Sequence, residues 1–244
     1  MFPIKDDNPQ INTPYAVYTL IGLNILAWLV LQGAGSPQGL NASVCQYGFI
    51  PASVGDVIDA FGSPAVCGID GGSGWSGIIS SMFMHGSWMH IIGNLWFLWI
   101  FGDNVEDSMG SVRFFVFYLL CGLLAALAQM ASDPDSTVPM VGASGAIGGV
   151  MGAYIVLYPR VKVHLLVVIT TLRVPAIAML GYWIFVQVWG GFSSSGATGG
   201  TAFWAHVGGF VAGAVLVWFF KDEQLLAQHP FRGWRQTGNP TGLR

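Results

Sequence analysis

Long apolar tracts without a single charged residue divide the chain. A membrane-spanning helix needs about 20 predominantly apolar residues, and each tract is long enough to supply at least one. The pattern therefore predicts an all-α, polytopic membrane protein. The charge-free tracts lie between Asp7 and Asp56, Asp70 and Asp103, Arg113 and Asp133, Asp135 and Arg160, and Arg173 and Lys221.

Helix-breaking residues divide these tracts into six predicted spans within a single integral membrane domain, residues 1–244. The tract after Arg173 is too long for one helix, and a Ser/Gly-rich linker at 193–200 splits it in two. An outer loop, 33–77, separates the first two spans. The spans are predicted at about 15–31, 82–101, 112–130, 140–158, 174–192 and 201–220.

Composition and charge agree with a membrane protein. Hydrophobic residues make up 53% of the 244-residue chain and charged residues 9%, whereas a soluble domain carries about a quarter charged residues. The formal net charge is −3 and no basic cluster occurs. These values exclude a disordered chain and a nucleic-acid partner, and leave the lipid bilayer as the expected surroundings.

The distribution of basic residues predicts the orientation. With six spans and a cytoplasmic N-terminus, all nine Lys and Arg residues lie in cytoplasmic segments, as the positive-inside rule requires. Asp6 and Asp7 disfavour a cleaved signal peptide and a mitochondrial transit peptide. We therefore expect a bacterial cytoplasmic (inner) membrane protein with both termini in the cytoplasm.

The three cysteines fall into two groups. Cys121 lies inside the third span, where we expect it to pack as a small apolar residue. Cys45 and Cys67 lie in the outer loop, on the side where disulfides persist. A bridge between them is one hypothesis and two free thiols are the other, because spacing alone does not give the loop geometry.

Polar side chains within the spans are the first candidates for function, because burying them in hydrocarbon is costly. No Asp, Glu, Lys or Arg lies deep in a span, which disfavours a proton-coupled transporter and an aspartyl protease. His85 and His90 are five residues apart without an accompanying Glu, which disfavours a zinc protease. The candidates are His85, His90, Asn94, Gln129, Ser144, Gln187 and His206.

Ser144 and His206 are predicted to lie at similar depths, about 7 Å inside the starts of the fourth and sixth spans. Glycines at three- and four-residue spacing follow each of them, which lets membrane helices approach closely. A hydroxyl within about 3 Å of an imidazole can lose its proton to that base. The alternative is a serine that only packs; Gln129 and Gln187 are interpreted as interhelical hydrogen-bonding residues.

His90 and Asn94 are spaced i, i+4, so one helix face would present two hydrogen-bond donors. With the backbone N–H of Ser144 they could stabilise an oxyanion. That role requires the second span to begin after Gly86 and Ser87. A start near Gly77 would place His90 about 20 Å down the helix, and the sequence leaves both starts open.

Four segments carry a family resemblance: PIKDDNP near the N-terminus, HGSWMHIIGN ending at Asn94, Gly142-Ala143-Ser144-Gly145, and AHVGGFVAG containing His206, Gly209 and Gly213. With the six predicted spans, these segments resemble the rhomboid family of intramembrane serine proteases. The resemblance implies a Ser144/His206 catalytic pair, an outer loop partly embedded in the outer leaflet and a movable fifth span. Hydrolysis by this pair calls for no metal or organic cofactor, and we expect an active site open to the extracytoplasmic side.

The same resemblance assigns further roles. It implies an oxyanion site made by His90, Asn94 and Ser144, with Gly142 and Gly145 as backbone glycines around the nucleophile. The expected substrates are transmembrane segments of single-pass or polytopic membrane proteins. The expected activity is that of a serine endopeptidase.

Two positions depart from the family pattern. Gly148 stands where many members carry an aromatic side chain beneath the base, and the outer loop lacks the Trp-Arg pair often found there. An inactive, client-binding relative is therefore the alternative, and a small transporter is a weaker one. Trp183, Phe185 and Trp189 are interpreted as lipid-facing or packing aromatics.

Overall fold

A computed structural model describes residues 2–54, 67, 74–193, 201–232 and 235–236 of the chain. Much of the predicted outer loop and the predicted linker at 194–200 lie outside these residues. The described chain is mostly helical, and a helix lies in each of the six predicted spans. Short 3₁₀ turns occupy Gly33–Gly35, Pro51–Val54, Gly74–Ser76 and Ser81–Phe83.

The regular elements follow in chain order. They are β1 (Phe2–Asp6), α1 (Tyr15–Val30), α2 (Pro37–Tyr47), α3 (Gly77–Ser80), α4 (Trp88–Asp107), α5 (Ser111–Ser132), α6 (Ser144–Leu157), β2 (Lys162–Val167), β3 (Thr170–Pro175), α7 (Ala176–Ser193), α8 (Phe203–Phe220), α9 (Glu223–Leu226), β4 (Phe231–Arg232) and β5 (Arg235–Gln236).

Three helices, α5, α7 and α8, are long and apolar enough to cross a bilayer by length and composition. The apolar helices α1 and α6 are shorter. Helix α6 is the most enclosed of the set: 11 of its 14 residues are buried, and it packs against α4, α5 and α8. The bundle is therefore arranged around the helix that begins at Ser144.

Helix α4 differs from the predicted second span at both ends. It begins at Trp88 rather than 82, because extended Ser87 caps it by accepting a hydrogen bond from the His90 N–H at 3.1 Å. It continues past Gly102 to Asp107. A side chain at Gly102 would lie 2.8 Å from Val17, so this glycine permits close packing on α1 instead of ending the helix.

Helix α6 begins at Ser144, so the prediction that this serine lies about 7 Å inside a helix starting near 140 is wrong. The preceding residues bond to other segments rather than to a helical turn. Met140 and Phe49 exchange two backbone hydrogen bonds of 2.7 and 2.9 Å. The Gly142 N–H donates to the Ser81 carbonyl at 2.9 Å. These bonds leave Ser144 at the half-buried start of a buried helix.

Helices α6 and α8 meet along a line of glycines, which we call the glycine seam: Gly145, Gly148, Gly149 and Gly152 of α6 with Gly209 and Gly213 of α8. A Cβ on Gly209 would lie 1.9 Å from the Gly145 carbonyl oxygen. A Cβ on Gly213 would lie 1.9 Å from the Gly149 carbonyl oxygen. The two helices therefore contact each other backbone to backbone.

A three-stranded antiparallel sheet, in the order β1-β2-β3, was absent from the predicted elements. The pairs Lys5↔His164 and His164↔Arg173 fix its register. Val163 and Leu165 alternate toward the core, whereas the residues around the 168–169 turn are exposed. No strand was predicted between the fourth and fifth spans, and pairing with the N-terminal strand makes this short segment part of a sheet.

Two buried carboxylates tie α4 to the start of α1. The Glu106 carboxylate accepts hydrogen bonds from the Ala16 and Val17 N–H groups at 3.0 and 2.9 Å. The Asp107 carboxylate accepts from the Ile11 and Asn12 N–H groups at 2.7 and 2.8 Å. The Ala16 and Val17 N–H groups begin α1 and so have no intrahelical partner, and the Glu106 side chain of α4 accepts from both of them.

The cysteines have two states in the structure. Cys45 of α2 and Cys67 form a disulfide with a Cα–Cα distance of 5.2 Å, which confirms the bridge hypothesis. Cys121 is a free, buried thiol. It packs against α6, where a Cβ on Gly149 would lie 2.4 Å from the Cys121 Cβ, so it acts as the predicted small apolar residue.

We expect Gly213→Ala to lower the free energy of unfolding by about 3 kcal/mol, because the added methyl must push α8 away from the Gly149 carbonyl. The measurement is the thermal unfolding midpoint in detergent micelles. Gly22→Ala is the matched control, since nothing lies within 4 Å of a Cβ there. Equal midpoints for the two variants would contradict backbone contact along the glycine seam.

Candidate active site

Ser144 and His206 meet at one end of the glycine seam. Ser144 Oγ lies 2.8 Å from His206 Nε2, although 62 residues separate them in the chain. Gly148 sits one turn along α6, where a Cβ would lie 3.0 Å from the His206 carbonyl oxygen. The close approach of the two backbones thus brings a hydroxyl within hydrogen-bond distance of an imidazole.

The turn before Ser144 requires a glycine. Gly142 has φ of +128°, a backbone conformation that residues with a side chain rarely adopt. A Cβ there would also lie 2.7 Å from His90 Nε2. Gly145 has a packing reason instead, since its Cβ would lie 2.7 Å from that of Ala125. Both glycines allow the helix to begin at Ser144 beside His90.

His90 and Asn94 lie on the first two turns of α4, at the level of Ser144. His90 Nδ1 accepts a hydrogen bond from the Gly86 N–H at 3.3 Å. A neutral imidazole that accepts at Nδ1 carries its proton on Nε2, and Nε2 is the atom nearest Gly142. Asn94 is 7% exposed, and its amide Nδ2 has no hydrogen-bond partner among the described residues. Among the described residues the Asn94 amide is therefore an unpaired donor, and His90 lines the same cavity.

His85 supports His90 rather than reaching Ser144. Its ring meets the His90 ring edge to face with centroids 5.1 Å apart. Gln32 holds its backbone in place: the His85 N–H donates to Gln32 Oε1 at 2.8 Å, and Gln32 Nε2 donates to the His85 carbonyl at 2.7 Å. Gln32, which lies just after α1, thus fixes the segment that leads into α4.

A cavity of about 680 Å³ opens beside the serine and the histidine. Ser144, His206, His90 and Asn94 all line it, and so do apolar side chains such as Phe97. The cavity lining therefore combines these polar side chains with apolar ones. Its size and lining suit a short extended segment of polypeptide better than a whole helix, whose diameter is about 10 Å.

Two side chains of α7 contact the His206 ring. Gln187 Oε1 lies 2.7 Å from His206 Nδ1. The Trp183 ring lies over the imidazole with centroids 5.8 Å apart and an interplanar angle of 37°. Trp183 fits the packing interpretation, while Phe185 and Trp189 are exposed as lipid-facing residues would be.

The sequence did not predict that Gln187 bonds to the His206 ring. It predicted an interhelical hydrogen bond for this residue and for Gln129, and both form one. Gln129 accepts the Ala205 N–H at 3.2 Å, whereas the partner of Gln187 is the imidazole itself. The only available signal was a glutamine in an apolar span, which does not say which helix it faces.

The fold and the site together define a polytopic helical membrane protein with a hydroxyl–imidazole pair beside a cavity. A family model described as the Rhomboid domain matches residues 72–223, more than half of the chain. The chain belongs to the rhomboid family.

Three relatives illustrate the likeness. The rhomboid protease GluP of Bacillus subtilis (strain 168) is 31% identical over 209 residues, which cover 85% of this chain and 36% of that protein. Rhomboid-like protein 11, chloroplastic, of Arabidopsis thaliana is 29% identical over 157 residues, covering 60% and 53%. Rhomboid protein 1, mitochondrial, of Saccharomyces cerevisiae is 29% identical over 148 residues, covering 59% and 41%.

The relatives differ from this chain in length and from one another in location. The chain spans 53% or less of the length of these three relatives. The family includes intramembrane serine proteases and also inactive members. The relatives' names include chloroplastic and mitochondrial proteins. The comparisons therefore support an integral membrane protein, and they do not support a bacterial inner membrane in particular.

We expect Gly142→Ala to slow reaction of Ser144 with a fluorophosphonate probe at least about tenfold, because the strained turn and the displaced His90 remove an oxyanion donor. The measurement is the rate of probe labelling in detergent. Gly181→Ala, where nothing lies within 4 Å of a Cβ, is the control and should label at the wild-type rate. Equal labelling of both variants would contradict this description of the turn.

Proposed function

We propose that the protein is an intramembrane serine endopeptidase that cleaves transmembrane segments of other membrane proteins. The observation that carries the proposal is the 2.8 Å contact between Ser144 Oγ and His206 Nε2, in a cavity that His90 and the unpaired Asn94 amide also line. A hydroxyl, a base within reach of its proton and donors for an oxyanion are the components of acyl transfer.

In the first half-reaction Ser144 Oγ attacks the carbonyl carbon of the substrate peptide bond. His206 Nε2 accepts the hydroxyl proton, and a tetrahedral intermediate forms. When the carbon–nitrogen bond breaks, His206 gives that proton to the leaving amine. In the second half-reaction His206 accepts a proton from a water molecule, which attacks the acyl ester. When the ester bond breaks, His206 returns that proton to Ser144 Oγ and the carboxylate product leaves. Water is the only co-reactant.

The oxyanion is stabilised by three donors: the His90 Nε2–H, the Asn94 amide and the Ser144 N–H. As the first residue of α6, Ser144 has a backbone N–H without an intrahelical partner, and it lies at the positive end of the helix dipole. One such donor contributes about 3 to 4 kcal/mol to the transition state in known serine proteases. The Nδ1 contact of His90 with Gly86 supports the required tautomer.

The substrate must unwind before it is cut. A helical segment hides its peptide carbonyls in its own hydrogen bonds, and the cavity suits an extended chain. Substrates with small or helix-weakening residues near one end of a membrane span are therefore expected. Their helices would reach the cavity through the lipid bilayer.

The site opens toward the side opposite the basic segments. With both termini in the cytoplasm, Ser144 lies nearer the extracytoplasmic face. The disulfide between Cys45 and Cys67 supports this orientation, because such bonds persist on the oxidising side of a membrane.

An inactive, client-binding role is the competing proposal. It depends on Gly148, which lacks the aromatic side chain of many relatives. The Trp183 ring over His206 weakens that argument, because an aromatic ring contacts the base from another helix. A transporter role has less support, since it would leave the Ser144–His206 contact without a use.

The decisive test compares wild type with Ser144→Ala and His206→Ala. We expect the wild type to react with a fluorophosphonate probe and to cleave a helix-weakened transmembrane peptide in liposomes, and both variants to lose at least about 10³-fold of each rate. Ser132→Ala is the control, since its exposed hydroxyl bonds only within α5. A folded wild type that binds the peptide without cutting it would support the client-binding role.

A further inference from the structure

We propose that Gln187 is the positioning residue for the base, holding His206 in the tautomer and orientation in which Nε2 can accept the Ser144 proton. The inference rests on the proposed function and adds a third residue to it. Gln187 is 8% exposed, and its Oε1 lies 2.7 Å from His206 Nδ1. The contact joins α7 to α8.

The tautomer decides whether the pair can react. His206 Nε2 can take a proton from Ser144 only when its lone pair is free, so the ring hydrogen must then be on Nδ1. An N–H in an apolar membrane interior needs an acceptor, because leaving a donor unpaired there is energetically costly. Gln187 Oε1 supplies that acceptor. The opposite tautomer would point an N–H at Ser144 and, with the Gln187 amide oriented as in the structure, leave two acceptors facing each other at Nδ1.

An amide suits this position better than a carboxylate. A permanent charge buried at membrane depth is costly unless it is paired. Gln187 carries no net charge. Its carbonyl oxygen interacts more favourably with the His206 ring when the ring becomes cationic during the reaction. The residue thus stabilises the transient imidazolium without the desolvation cost of a resident charge.

Trp183 lies one turn before Gln187, so both side chains share one face of α7. The ring covers His206 while the amide binds its edge. Support from α7 follows from the glycine seam: an aromatic side chain at Gly148 would begin with a Cβ only 3.0 Å from the His206 carbonyl oxygen. A ring at this position of α6 would therefore require α8 to move by a few tenths of an ångström, whereas α7 provides a ring without that shift.

The position of α7 then determines whether the base is correctly held. One turn beyond Gln187, α7 packs Gly190 and Gly191 against the Phe203 and Trp204 rings of α8. A movement of α7 away from α8 by a few ångströms would break the bond between Gln187 and His206. It would leave the Ser144–His206 contact in place.

The test compares Gln187→Met, which keeps the length but removes the acceptor, with Gln187→Glu, which keeps an acceptor oxygen. We expect Gln187→Met to lower kcat for the transmembrane peptide about 10- to 100-fold with KM within about twofold, a part of the 10²–10⁴ that a positioned base contributes. Gln187→Glu should recover most of that loss. Gln129→Met is the matched control, because it removes the other interhelical glutamine bond without touching the ring.

A spectroscopic readout separates positioning from general packing. In ¹⁵N-histidine NMR of the detergent-solubilised protein, wild type should show His206 protonated at Nδ1, and Gln187→Met should show a mixture of the two tautomers. Gln129→Met should resemble wild type. An unchanged tautomer together with an unchanged kcat in a folded Gln187→Met protein would overturn the inference.

The two proposals fail in different ways. If wild type neither labels with the fluorophosphonate nor cleaves, the proposed function fails, whatever tautomer the NMR spectrum shows. If wild type cleaves and Gln187→Met cleaves equally fast with the same tautomer, only the role of Gln187 fails.

Discussion

The backbone contact between α6 and α8 is the constraint on which the site depends. Two membrane helices gain little from burying apolar surface against each other, because lipid is as apolar as their side chains. Their association depends on close packing, and glycines bring the carbonyl of one helix to the Cα of the next. Since Ser144 and His206 lie at the same end of this contact, the separation of the two helices determines the distance between Oγ and Nε2.

The same contact explains what surrounds the histidine. A seam of glycines leaves few side chains to hold an imidazole, so besides Ser144 the ring is contacted from a third helix, through Gln187 and Trp183. The buried carboxylates of Glu106 and Asp107 work at the opposite end of α4, where they hold α1. With Ser87 capping the start of α4, the helix that carries His90 and Asn94 is fixed at both ends.

Much of this arrangement could be predicted from the sequence because charge-free tracts and glycine spacing are local signals. They predicted the helices and indicated that Ser144 and His206 could meet. The start of α6 could not be predicted, because the hydrogen bonds of residues 140 and 142 go to Phe49 and Ser81, distant in the chain. For the same reason the sheet was missed, and so was the partner of Gln187.

The glycine seam also divides the molecule into a static part and an adjustable part. Helices in backbone contact have no side chains that can change rotamer to absorb a shift, so α6 and α8 must move together or not at all. Motion that admits a bulky segment would then fall on α7, which touches α8 through side chains. In such a molecule Ser144 and His206 would stay in contact whenever α7 moved. Activity would then be regulated by the orientation of the imidazole and not by its distance from the hydroxyl.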